Sequence, residues 1–71
     1  MKTKKVKVIL HTYDDVEEIE ALCKKTGIIV RTKYYDTDLK IYVFNLEVTK
    51  DQAYEVLGFI NSRNGLLLKG E

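Results

Sequence analysis

Few side chains in this sequence are equipped for chemistry. His11 is the only histidine and Cys23 the only cysteine. His11 precedes Thr12, Tyr13, Asp14 and Asp15, and an imidazole beside a carboxylate is a pairing that can serve as a general base. Such a base needs a nucleophile. No serine lies near it in sequence, Ser62 falls in a later helical segment, and Cys23 sits in an apolar stripe that predicts a buried, inert thiol. A catalytic triad is not expected, and no catalytic residue is assigned. The acids Asp14, Asp15, Glu17, Glu18 and Glu20 lack the spacing and the glycine of an EF-hand. Their position in the first turns of a helix accounts for them, because the helix dipole favours negative charge there. The glycines at 27, 58, 65 and 70 form neither GxGxxG nor a P-loop. A lone cysteine without a CxxC partner makes no zinc site. The expectation is therefore no metal, no cofactor and no enzymatic activity.

Composition narrows the remaining classes. Seventy-one residues make one domain, here residues 1–71. Twelve Lys+Arg against 11 Asp+Glu give a net charge of +1, with 45% hydrophobic and 32% charged residues. These values exclude disorder, collagen and coiled coil. No apolar run approaches the roughly 18 residues of a membrane span. Near-neutrality disfavours a dedicated nucleic-acid binder. The lone cysteine, and a basic start (Met1 to Lys5) with no secretory hydrophobic run behind it, point to a cytoplasmic setting. A core of this size rarely supplies more than about 3–5 kcal/mol. An internal disulfide is impossible, so association with a second chain is the expected support.

The elements that would position any site follow from periodicity. Val6 to Leu10 alternates, with Val6, Val8 and Leu10 on one face and Lys7 and Ile9 on the other, and reads as a strand. Val16, Ile19, Leu22, Cys23 and Thr26 recur at helical spacing, with Thr12 or Asp14 as N-cap and Gly27 as left-handed terminator. Ile28 to Tyr35 is a second strand, Asp36-Thr37-Asp38 a turn, and Leu39 to Val48 a third strand. Thr49 to Gln52 is a capping box opening a second helix, whose buried stripe is Ala53, Val56, Leu57 and Ile60. Asn64-Gly65 ends that segment, and Leu66 to Lys69 is a fourth strand. The order β-α-β-β-α-β predicts a ferredoxin-like α+β sandwich: a four-stranded antiparallel sheet in the order 4-1-3-2 with both helices on one face.

One strand is apolar on both faces, and an internal repeat decides its phase. A shift of 38 residues lays Gly27 on Gly65, Ile28 and Val30 on Leu66 and Leu68, and Val6, Val8 and Leu10 on Phe44, Leu46 and Val48. Phe44, Leu46 and Val48 are therefore expected to face the helices, with a short hairpin pairing Val30 and Phe44. The open face then carries Ile9, Ile29, Ile41, Val43 and Leu67. Its expected rim is Lys5, Lys7, His11, Arg31, Lys33, Tyr35, Asn45, Glu47 and Lys69. An apolar stripe with a polar border is how a binding surface is built.

The same order of elements occurs in RNA-recognition motifs, acylphosphatases and the ACT family of small-molecule sensors, and the similarity is topological. Lys40-Ile41-Tyr42-Val43-Phe44-Asn45 lacks both glycines of the RNA-binding strand pattern, and its rings are expected to point inward. His11 to Asp15 has neither the glycine-rich anion loop of acylphosphatases nor the glycine of the ACT ligand loop. The expected function is a non-enzymatic protein-interaction module. It would bind through the open face, using Ile9, Ile29, Ile41, Val43, Leu67, Lys7, Arg31 and Lys33. Its partner would be a second copy in a homodimer, or a larger protein that it inhibits or adapts. The alternative is a nucleic-acid-binding or ligand-sensing domain using the basic rim.

Overall fold

The computed structural model describes residues 2–63 and 65–70. Its elements are β1 (Lys4–Leu10), α1 (Tyr13–Thr26), β2 (Ile29–Asp36), β3 (Ile41–Val48), α2 (Lys50–Asn61) and β4 (Leu66–Lys69). The strands form one antiparallel sheet in the order β2-β3-β1-β4, the expected ferredoxin-like arrangement read from its other edge. No helix among the described residues is long and apolar enough to cross a membrane.

The helix ends follow local chemistry. Thr12 is the N-cap of α1: its backbone is extended and its Oγ1 accepts the Asp15 N–H at 3.3 Å. Asp14 is already inside the helix. Gly27 ends it at φ 73°, a left-handed conformation that costs a side-chain-bearing residue about 1–2 kcal/mol. At α2 the capping box is complete. Thr49 Oγ1 accepts the Gln52 N–H at 3.3 Å, and Gln52 Oε1 accepts the Thr49 N–H at 2.9 Å. Gln52 Nε2 also donates to the Thr26 carbonyl at 2.9 Å, so the start of α2 satisfies an orphan acceptor at the end of α1. Arg63 holds the other ends together. Its Nε donates to Glu18 Oε2 at 2.6 Å and lies 3.6 Å from Asp15 Oδ1, and the guanidinium stacks 4.1 Å from the Phe59 ring centroid.

Both helices pack on one face of the sheet. Val6, Val8 and Leu10 of β1 and Phe44, Leu46 and Val48 of β3 form a single core with Val16, Ile19 and Cys23 of α1, Ile28, and Val56 and Ile60 of α2. The repeat therefore assigns β1 and β3 to the correct face. In α2, Leu57 is 40% exposed, and half-buried Phe59 packs on the core beside Ala53. The helix is rotated slightly from the expected stripe. α2 ends at Asn61 with Ser62 as its C-cap, before the Asn64-Gly65 expected to stop it, and Asn64 itself lies outside the described residues.

The two outer strands depart from expectation. The β2–β3 turn spans residues 37–40, and β3 begins at Ile41 rather than Leu39. Asp36 Oδ1 accepts the N–H groups of Asp38 and Leu39, both at 3.0 Å, and Lys40 takes φ 56°. Val30 pairs with Leu46 rather than Phe44. Between Val30 and Thr32 the register slips by one residue, a β-bulge that leaves Arg31 unpaired. Side chains alternate with period two, so one extra residue turns over everything beyond it. Lys33 then pairs with Phe44 and Tyr35 with Tyr42, on the helix side, while Thr32 and Tyr34 take the open face. In β4, Leu67 pairs with Val8 and packs on the core; Leu66 and Leu68 point away from it.

Candidate functional site

The open face is built by cross-strand pairing, because residues directly opposite in an antiparallel ladder share a face. Leu66 pairs with Ile9, Ile9 with Val43, and Val43 with Tyr34. One apolar row therefore crosses all four strands, about 14 Å at the usual spacing of roughly 4.8 Å per strand. Toward one end lies the row Leu68, Lys7, Asn45 and Thr32, in which Asn45 Nδ2 donates to Thr32 Oγ1 at 2.8 Å. Beyond it stand Lys5, Glu47 and Ile29. Glu47 Oε1 accepts from Arg31 Nη1 at 2.7 Å, and its Oε2 accepts from Thr3 Oγ1 at 3.4 Å. At the opposite end Ile41 pairs with Asp36.

Of the residues assigned from sequence, the structure brings Ile9, Ile29, Ile41, Val43 and Lys7 to this face, and Arg31 reaches it through Glu47. Three placements are corrected. Leu67 faces the helices, since its partner Val8 does. Lys33 is turned to the helix side by the bulge and bonds Glu20 of α1. Val43 is on the open face but only 3% exposed, so it supports the surface without presenting one. Two rim residues change sides as well. Tyr35 lies against Tyr42, ring centroids 4.7 Å apart, and Lys69 pairs with Val6. The sequence reading missed Leu66 (53% exposed), Leu68 (45%) and Tyr34 (50%). The signal for Tyr34 was present: adjacent Tyr34 and Tyr35 must take opposite faces, and only the bulge determines which.

The titratable groups lie as follows. Cys23 is buried, and its thiol is pushed up, first by desolvation and then by the charge of Glu20. It is protonated and shielded. His11 is exposed just beyond β1. Among the described residues no three His, Cys, Asp or Glu side chains gather as metal ligands would. Glu18 is held below the usual carboxylate range by its hydrogen bond from Arg63, on the helix layer away from the open face. The chain matches no protein-family model, no curated protein and no solved structure.

Proposed function

We propose that this chain is a non-enzymatic protein-interaction module whose open sheet face docks on the same face of a second copy. The observation that carries the reading is the unbroken row of Leu66, Ile9, Val43 and Tyr34, half-exposed at both ends and bordered by polar side chains. An apolar path across a whole sheet, in a domain whose own core is small, is stabilised when a partner removes it from water. Charge selects the orientation. The Lys5 and Lys7 end is basic and the Ile41 end carries Asp36. A two-fold axis parallel to the row lays the Lys5 and Lys7 end of each copy over the end of the other that carries Asp36, β1 above β1 and β2 above β2. An axis parallel to the strands would oppose lysine to lysine. Sheets so stacked lie about 10 Å apart.

Molecular mass measured by light scattering over a hundredfold range of concentration tests the reading. The parent is expected to pass from monomer to dimer, and Leu66→Lys to remain monomeric with an unchanged circular dichroism spectrum. A parent that stays monomeric throughout refutes it. One observation favours a second reading, nucleic-acid binding: the exposed Tyr34 ring shares its face with Lys5 and Lys7. Binding of single-stranded RNA that weakens steeply with salt would support that reading instead.

A further inference from the structure

β2 lies at the edge of the sheet, so one side of its backbone has no strand partner. Natural proteins blunt such edges with bulges and with charged side chains, lysine above all. By composition β2 is guarded in both ways, by its bulge and by Arg31 and Lys33. The structure removes the guard. Arg31 is drawn onto Glu47 at 2.7 Å on one side of the sheet, and Lys33 onto Glu20 on the other. The bulge precedes Thr32, and from Thr32 to Asp36 the ladder with β3 runs without a further slip. This stretch contains neither proline nor glycine, and Thr32 to Tyr35 are all exposed. A regular edge whose two cations are held by partners in the same chain is a template for another strand.

Beyond the face contact proposed above, we infer that β2 pairs antiparallel with β2 of a second copy about a two-fold axis through Tyr34, joining two four-stranded sheets into one. The register follows from the faces. Opposed residues share a face, so the axis must pass through a residue and not between two. An axis at Lys33 opposes two lysines and runs into the bulge. An axis at Tyr35 runs into the turn that begins at residue 37. An axis at Tyr34 uses the whole regular stretch. It sets Lys33 beside the second copy's Tyr35 ring, a cation–π geometry. It sets Thr32 opposite Asp36, and the Thr32 Oγ1, which accepts from Asn45, keeps its own proton to donate to that carboxylate. Tyr34 opposite Tyr34 also makes the two apolar rows continuous, doubling the open face.

Directly opposed Cβ atoms in such a ladder lie about 4.5–5.5 Å apart, close to disulfide reach. The test uses two variants of the full chain in a Cys23→Ala background, Lys33→Cys and Tyr35→Cys, mixed under mild oxidation. A mixed disulfide at least about fivefold above either variant alone is expected, because the axis opposes position 33 to position 35. A mixed product no more abundant than the controls overturns the inference. Both positions lie on the helix side, where a face-to-face dimer cannot bring them together, so the two contacts fail separately. Adding Leu66→Lys should abolish the face contact and leave this cross-link. Unmodified protein gives a second reading that does not depend on the cysteine variants folding. Amides of Thr32–Asp36 that point away from β3 should exchange at least about tenfold more slowly at high concentration than at low. Exchange independent of concentration counts against the pairing.

Discussion

Adjacent leucines on β4 separate the two sides of the sheet. Leu66 pairs with Ile9 on the open face and is 53% exposed; Leu67 pairs with Val8 and packs on the core. Full burial of a leucine side chain contributes about 1.5–3 kcal/mol. With roughly half of Leu66 still in water, covering it adds about 1 kcal/mol per copy, or about 2 kcal/mol per dimer. Leu66→Ala should therefore weaken face-to-face dimerisation roughly 30-fold, at 1.4 kcal/mol per decade. It should change monomer stability by less than about 1 kcal/mol. Leu67→Ala should do the reverse. Loss of a half-buried leucine from the core costs about 2 kcal/mol, the low end for such truncations. In a domain of this size that lowers Tm by roughly 10 °C. Sedimentation equilibrium reads the first effect and thermal unfolding of dilute monomer the second. If Leu67→Ala dissociates the dimer while Leu66→Ala melts the fold, the phase assigned to β4 is wrong and the candidate surface falls with it.

Three further outcomes follow from the packing and the charges. A Cβ on Gly65 would lie 3.0 Å from both the Ile9 carbonyl oxygen and Ile60 Cγ2, and backbone cannot give way cheaply, so Gly65→Ala should cost about 1–3 kcal/mol in urea unfolding; a neutral result would show that β4 is free to shift. Glu18 is held below its ordinary value of 4.5 by Arg63, so its contribution is complete above that pH and disappears as pH falls through the lower folded value. Arg63→Gln should accordingly flatten the acid limb of a Tm–pH profile, and an unchanged limb would remove the Arg63 tie as a source of stability. Native Cys23 should resist a thiol reagent at pH 8 and react fully in urea, because it is buried and its pKa is raised; rapid labelling of folded protein would contradict its place in the core.

The open face differs in one way from a simple exposed stripe. Its centre is already dry, since Val43 is 3% exposed, and the side chains that offer area stand toward the strands on either edge. The proposed docking there would depend on a broad, shallow fit across the sheet and not on one central pocket. The two proposed contacts would use different parts of Tyr34: its backbone at the edge, its ring on the face.

How much was legible depended on whether local pattern carried a signal. Val6 to Leu10 alternates lysine with aliphatics at Lys7, so β1 had one possible phase, and the repeat carried it to Phe44, Leu46 and Val48. Thr12, Gly27 and the Thr49–Gln52 box marked helix ends because caps are local chemistry, satisfied within a few residues. The order of elements, and from it the sheet order, followed. The open face was legible only in its middle strands. Leu66-Leu67-Leu68 is apolar at every position, and Arg31 to Tyr35 mixes polar and aromatic residues without period. Such runs fit the sheet in either phase, and the choice belongs to partners distant in sequence: Val8 and Ile9 for β4, and Asn45 with a one-residue bulge for β2. Sequence alone determined which strands and helices form, where α1 ends and where α2 begins, because those signals act over one or two turns; the α1 cap stood between Thr12 and Asp14, and α2 stops at Asn61, short of the expected Asn64-Gly65. Only tertiary structure decided which side of the outer strands meets water, because a strand without alternating polarity takes its phase from the neighbour it bonds to.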